Sequence, residues 1–371
     1  MSEIRPLEGG DMEAVAKLFL EILRDSATPP SPALTDYLRW HYFEMPGNDP
    51  EIRPLVHIGA GGAVTGFIGV NSLSLKHRAR KLRGAICGTL MVKDHADNPL
   101  AGARLLKAVL AGPQDVTLSE TASDVARRMW VNLRGVVLPQ YSLEWVRILR
   151  PGSFLVDRAA DRLNLLRFLA PFGRVLDRLA GWRGASGDLQ WSGLREGWSG
   201  EGGACALEVD PATFSDLVEP LTEQFALRPD WAEGQLDAIL SAAREKPSFG
   251  KLVLSTVNAP GGRPVGAFAY HVKPGCGARV LQILARPGKT GAVIDCLIGD
   301  AFRRGASALR GRTQPALLEA MLGRRIVFLN GSSTVVHSRD AEVIQSCRNG
   351  ELFFNGLAGE AWNRMIGGSF D

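Results

Sequence analysis

The spacing of apolar side chains divides the chain into two stretches of the same element order around a different middle. In the first, a short strand at EIRPLEG (3–9) precedes Met12, Val15, Leu18, Phe19 and Ile22, which recur at helical spacing from Asp11 to Arg24 until TPPSP (28–32) stops the helix. ALTDYLRWHYF (33–43) predicts a second helix, and PLVHIGAGGAVTGFIGVNSLSLK (54–76) predicts two strands joined by a glycine-rich hairpin turn. GAICGTLMV (84–92) reads as a buried strand. After it, NPLAGARLLKAVL (98–110) forms a small-residue turn that becomes a helix with Leu105, Leu106, Val109 and Leu110 on one side, and VTLSE (116–120) is another short strand. This order predicts an α/β, mixed sheet with helices on its faces.

The second stretch repeats that order with different residues. CALEVDPATFSDLVEPLTEQF (205–225) is strand then helix, RPDWAEGQLDAILSAAR (228–244) is a further helix, and KLVLSTVNAPGGRPVGAFAYHV (251–272) is a hairpin. ARVLQILARPGKTGAVIDCLIGDAFRRG (278–305) again runs strand, glycine-containing turn, helix. The repetition predicts a structural duplication with α/β domains at 1–150 and 200–371, each built on a splayed sheet. Between them, residues 151–199 hold a helical pattern broken at Pro171 and Gly173, then a Gly-, Ser- and Trp-rich stretch with Trp182, Trp191 and Trp198. A helical strut followed by an exposed linker is expected there. Asp157, Asp161 and Asp177 dilute its positive face, which argues against a membrane-surface helix.

Composition narrows the function classes. A chain of 371 residues, 45% hydrophobic, carries enough apolar side chains for two ordinary cores. Its 43 basic and 39 acidic residues leave a net charge of +4 without a run of like charge, so no nucleic-acid partner is expected. The five cysteines (87, 205, 276, 296 and 347) are odd in number and contain no Cys-x-x-Cys pair, which predicts neither a disulfide framework nor a zinc site and fits a reducing, cytoplasmic setting. No basic-then-apolar leader opens the sequence and no window of about 18 residues lacks charge, so neither export nor a membrane span is expected.

Two turns have the chemistry to hold an anion. A helix N-terminus offers unsatisfied amides and the positive end of the helix dipole, and small residues let a phosphate approach the backbone. Asn98-Pro99-Leu100-Ala101-Gly102-Ala103 meets that need by size alone, with Arg104 following. Ala285-Arg286-Pro287-Gly288-Lys289-Thr290-Gly291 meets it with two glycines, a hydroxyl and the Lys289 cation, which makes it the better anion site of the two by composition; its spacing is not that of a Walker A loop.

Residues 98–103 resemble the pyrophosphate loop of the GCN5-related N-acetyltransferase superfamily, Arg/Gln-x-x-Gly-x-Gly/Ala, with Asn98 in place of the Arg or Gln and Ala101 in place of the first Gly. SDVARRMWVNLRGVV (123–137) resembles that superfamily's later motif Asn-x-x-Ala-x-x-x-Tyr-x-x-x-Gly-Phe, with Ser123, Ala126 and Trp130 at the first three fixed positions and Gly135 one residue late. The tandem order, RPDW, the ARPG loop and the closing GELFFNGLAGEAW (350–362) together resemble bacterial two-domain members, and this likeness covers most of the chain.

The resemblance implies an acyltransferase that takes acetyl-CoA or another acyl-CoA as co-substrate, needs no metal, and transfers the acyl group by direct attack of an amine or hydroxyl of a small-molecule, sugar or peptide acceptor. It implies that the cofactor lies on Asn98, Ala101, Gly102, Ala103 and Arg104, or on Arg286, Gly288, Lys289, Thr290 and Gly291. Such an enzyme needs a carboxylate or imidazole near the acceptor, and Glu120 and His271 are the expected bases. The family's Tyr, which protonates the leaving thiolate, is Trp130 here, and an indole N–H has no useful acidity. Two other classes stay open: aminoacyl transfer of the peptidoglycan bridge ligase type, and a non-enzymatic scaffold on the same fold. Neither the oligomeric state nor the acyl chain length is indicated.

Overall fold

The computed structural model describes residues 2–93, 98–162, 194 and 201–370. The first half runs β1 (Glu3–Pro6), α1 (Met12–Leu23), α2 (Pro32–Arg39), β2 (Leu55–Ile58), β3 (Val64–His77), β4 (Arg80–Val92), α3 (Ala101–Leu110), β5 (Val116–Ala122), α4 (Asp124–Asn132), β6 (Val136–Val137), α5 (Pro139–Ser142), β7 (Leu143–Ile148) and α6 (Pro151–Arg162). The second runs β8 (Cys205–Glu208), α7 (Pro211–Thr222), β9 (Leu227–Pro229), α8 (Gln235–Arg244), β10 (Lys251–Asn258), β11 (Pro264–Val272), β12 (Gly277–Ala285), α9 (Thr290–Arg303), β13 (Ala308–Arg312), α10 (Pro315–Leu322), β14 (Val327–Asn330), β15 (Ser333–Ser338) and α11 (Ala341–Arg348).

Local signals account for the helix starts. Ser31 caps α2 through its Oγ, which accepts from the Leu34 amide at 3.2 Å, with Pro32 at the first helical position. A wider helical turn over Trp40–Glu44 extends it to the end of the predicted segment. Asp210 and Pro211 start α7 in the same way. Strands β3 and β4 are longer than their apolar patterns, because they continue as a hairpin through Arg78, whose φ of 56° closes the turn. Of the expected strut, α6 covers Pro151–Arg162; the rest of it, with the Trp-rich stretch, falls outside the described residues, Leu194 apart.

The strands form two mixed sheets. One has the order β1-β2-β3-β4-β5-β15-β6, with β9 added to the far end of β3; the other has the order β14-β7-β13-β12-β11-β10-β8. Each contains one parallel pair, and it is short: β4 with β5 over Gly84–Ile86 and Val116–Leu118, β12 with β13 over Gly277–Arg279 and Ala308–Arg310. Beyond those three positions the strands of each pair diverge. The halves also trade a strand. β7 lies between β14 and β13 in the second sheet, and β15 lies between β5 and β6 in the first.

Alternation along β3 assigns the two faces of the first sheet. Phe67 joins Phe19, Tyr42, Met91 and Met365 in a core under α1 and α2, whereas Ile68 joins Cys87, Leu105, Leu106 and Trp130 in a core under α3 and α4. A third core joins the two sheets, with Leu73 and Ile86 from the first, Ala267 and Leu281 from the second, and Phe353, Phe354 and Leu357 from the segment after α11. That segment, 351–370, runs between the sheets and then along the α1–α2 face.

Candidate functional site

A cleft of about 440 Å³ passes through the first sheet where β4 and β5 part. On one face it is walled by Leu106, Ala126, Met129 and Trp130 from α3 and α4; on the other by Phe19, Leu23, Met365 and Ile366; and Gly88, Thr89, Ser119 and Thr121 line its waist. β4 carries a one-residue bulge here, since Gly69 pairs with Gly88 but Phe67 pairs with Met91. Thr89 takes the extra position with φ of 56°, a left-handed conformation that costs a β-branched residue on the order of 1 kcal/mol and is found where a strand re-aims a side chain.

The carboxylate of Glu360 occupies the waist. It is 8% exposed, and it bridges the gap the strands leave: Oε2 accepts from the Glu120 amide (2.8 Å), the Thr121 amide (3.1 Å) and Ser119 Oγ (3.2 Å) on β5, while Oε1 accepts from Thr121 Oγ1 (3.1 Å). On the β4 side Oε1 rests on the α-carbon of Gly88, where any Cβ would overlap it. The partner glycine, Gly69, leaves the equivalent space to the Tyr42 hydroxyl. Burial, and then the charge of Glu120, push the Glu360 carboxyl up to about 7 against the opposing pull of its hydrogen bonds. A carboxyl that is half ionised near neutral pH is suited to accept and return a proton there.

Glu120 returns the interaction. Its Oε2 accepts from the amides of Glu360 (2.7 Å) and Ala361 (3.2 Å), so each glutamate holds the other's backbone. The buried Lys246 ammonium donates to the Ala361 carbonyl on the same segment, and burial pulls it down to about 7. Glu120, read from the sequence as a base, therefore lies beside the cleft, facing the segment that carries Glu360 and not the opening.

His271 is placed elsewhere. On β11 its Nε2 meets the Ala243 carbonyl at 2.7 Å, its ring lies edge-on to Phe249, and burial pulls it down to about 4, which leaves it neutral. It does not line the cleft, and the structure gives it a packing role between β11 and α8.

The first predicted loop opens on the cleft. Ala101 and Gly102 are buried at the start of α3, Ala103 follows at the half-buried third position, and Gly102 lines the cavity. Leu100 at the N-cap supplies no side-chain acceptor, so an acceptor for the first-turn amides of α3 must come from outside the helix. Asn98 is half-buried just before the helix, with its carbonyl accepting from the Ala101 amide; Arg104 is exposed and donates to Ser2 Oγ at 2.8 Å. Trp130 is buried against the same wall.

The second loop meets a different setting. Gly288 has φ of 73° with open space around it, as in a turn, and Lys289 at the α9 N-cap is exposed. Arg286 donates to the Pro264 carbonyl at 3.2 Å. Gly288, Thr290 and Gly291 border a cavity of about 440 Å³ against α10, but the split between β12 and β13 is filled by the chain itself. The Leu357 amide donates to Gln282 Oε1 (3.1 Å), Asn355 Nδ2 to the Thr313 carbonyl (3.0 Å), and Gln314 Nε2 to the Phe354 carbonyl (3.0 Å). Gly356, with φ of 60°, packs directly on the Leu281 carbonyl. The composition of residues 285–291 gives no sign of this plug, which comes from residues 354–357.

Sequence reasoning missed Glu360, although a lone carboxylate in the small and apolar run GLAGEAW is the signal that marks it. Among the described residues no cluster of His, Cys, Asp and Glu side chains is placed to hold a metal ion, and no helix is long and apolar enough to cross a membrane.

No protein-family model matches the sequence, and no curated protein matches it. Solved structures do match in shape. A probable N-acyltransferase of unknown function from Enterococcus faecalis superposes with a TM-score of 0.57 at 7% identity, over 94% of this chain and 74% of the other. GCN5-related N-acetyltransferases from Kribbella flavida (TM-score 0.53, 12% identity) and Anabaena variabilis (TM-score 0.58, 8% identity) each match over 92% of this chain and 73% of theirs. The two mixed sheets flanked by helices, each with one short parallel pair, thus share their fold with solved structures named as GCN5-related N-acetyltransferases and a probable N-acyltransferase.

Proposed function

We propose that the protein is an acyl-CoA-dependent N-acyltransferase working in the split of the first sheet. The observation that carries this reading is Glu360, a buried carboxyl raised to about 7 at the waist of a cleft that also reaches the uncapped start of α3. The amides of Gly102 and Ala103 would hold the pyrophosphate of an acyl-CoA beside the small side chain of Ala101, and Leu106, Ala126, Met129 and Trp130 would line its pantetheine arm. The thioester supplies the activated carbonyl. An acceptor nitrogen entering from the α1 side attacks that carbonyl, Glu360 Oε1 takes the nitrogen's proton, and the carbon–sulfur bond breaks. Trp130 provides no proton. An alkyl thiol of ordinary pKa near 8.5 leaves as thiolate and is protonated by water. The second sheet, its split plugged by 353–358, is read as a supporting body that carries the Glu360 segment.

Calorimetric titration with acetyl-CoA tests the placement. Ala126→Trp, which fills the cleft from a half-buried position, should weaken binding at least tenfold, whereas Lys289→Ala should leave it within twofold. Loss of affinity in Lys289→Ala with Ala126→Trp unaffected would move the cofactor to the second loop. Tight binding without release of CoA thiol to any amine would favour the scaffold reading.

A further inference from the structure

The cleft continues past Glu360, and this far half is what an acceptor would meet. Its walls are Phe19 and Leu23 of α1, Leu90 of β4, and Met365 and Ile366 of the C-terminal segment. Among the described residues that line the cleft there is no Lys, Arg or His, and Glu360 is the one acidic group. Asn363 is turned onto the protein: its Oδ1 accepts from the Tyr37 hydroxyl (2.9 Å) and the Met365 amide (2.7 Å), and its Nδ2 meets His41 Nε2 at 3.1 Å. Arg24, at the end of α1, donates to the carbonyls of Met365 (3.1 Å) and Gly368 (3.0 Å) and lies over the Phe19 ring, which ties the wall together.

Resting on the acyltransferase reading above, we infer that the acceptor is a primary amine on an apolar body, carrying neither an anionic group nor a second cation. Its ammonium pairs with Glu360 and its alkyl or aryl body lies against Phe19, Leu23, Leu90, Met365 and Ile366. A carboxylate or phosphate on the acceptor would enter this wall with no cation among its described lining residues to receive it, since Arg24 behind the wall is turned onto the Met365 and Gly368 carbonyls, and burying an unpaired charge is costly. A polyamine would bring further ammonium groups to a wall that holds no second carboxylate. The same chemistry disfavours an aminoacyl-tRNA, whose phosphates require basic contacts.

The test compares 2-phenylethylamine with L-phenylalanine, which differ by one carboxylate, and with spermidine, using acetyl-CoA and the full-length chain and following release of CoA thiol. kcat/KM for 2-phenylethylamine should exceed that for either competitor by about a hundredfold, the scale on which a site rejects an uncompensated polar group. Leu23→Asp, at a half-exposed position on the rim, adds a carboxylate without opening the core. It should lower the 2-phenylethylamine to spermidine ratio at least tenfold. Titration of the same three amines into the CoA-saturated protein reads the preference without turnover. Equal or greater activity and binding with L-phenylalanine or spermidine would overturn the acceptor class while leaving the enzyme reading intact; absence of acetyl-CoA binding would instead remove the reading beneath it.

Discussion

Replacing Glu360 with Gln should reverse part of the pH dependence of stability. The folded carboxyl holds its proton up to about pH 7, whereas the unfolded chain releases it near the ordinary value of 4.5. Between those values the folded state binds more protons than the unfolded state, so stability falls as pH rises through this window and the loss is complete above the folded value. At 1.36 kcal/mol for each pKa unit, the rise from the ordinary value to about 7 amounts to about 3 kcal/mol, most of it falling between pH 5 and pH 8.5. Gln carries no titrating proton, and it fits the same contacts: its oxygen can accept from the Glu120 and Thr121 amides while its NH₂ donates to Thr121 Oγ1. Urea unfolding of both proteins, followed by tryptophan fluorescence across pH 5–8.5, reads the difference directly. The variant should gain about 2–3 kcal/mol on wild type toward alkaline pH. A difference that stays constant within about 0.5 kcal/mol, the usual scatter of surface changes, would mean that Glu360 is ionised throughout and that its environment does not raise it. The same raised value sets the expected rate profile, with kcat/KM climbing with pH through about 7 as the base form appears.

Two further substitutions probe the two splits. Gly88→Ala places a methyl group on Glu360 Oε1; it should cost about 1–3 kcal/mol and lower transfer at least tenfold while acetyl-CoA affinity, measured by calorimetry, stays within twofold. Gly356→Val puts a β-branched residue at φ of 60° against the Leu281 carbonyl, so urea unfolding should show a loss of more than about 2 kcal/mol; a change within about 0.5 kcal/mol would show that the plug of the second sheet is not a fixed part of the structure.

Most elements were legible because periodicity and caps are local. The helices at Met12–Leu23 and Ala101–Leu110 and the hairpins at 55–77 and 251–272 follow from side-chain spacing that neighbouring residues decide. Strand partners are not local. LEWVRI and STVVHS alternate like any half-buried strand, and nothing within six residues states that each completes the other half's sheet. The site divides along the same line. The small residues at 101–103 could be read as a phosphate approach from their size, and they do open on the cleft. Glu120 could be recognised as a polar group at the end of a buried strand, but its partners lie some 240 residues away, at Glu360 and Ala361. His271 looked available because its sequence neighbours are strand residues, whereas the Ala243 carbonyl that satisfies it comes from a different helix.

The exchange of β7 and β15 bears on how the molecule comes into being. The first sheet closes only when Ser333–Ser338 reaches the edge of β5, and Glu360 enters its waist later still, so an emerging chain holds an incomplete first sheet until residues 333–360 have been synthesised. The second sheet, in turn, has to wait with β7 already made and unpaired. Contacts spanning more than 200 residues make such a topology slow to nucleate. They also make it hard to take apart: neither half can open or detach as a unit without breaking the ladders of β7 with β13 and β14 and of β15 with β5 and β6, so the distance between the cleft wall on β4 and the carboxylate brought by the C-terminal segment is set by the whole chain's assembly rather than by a hinge.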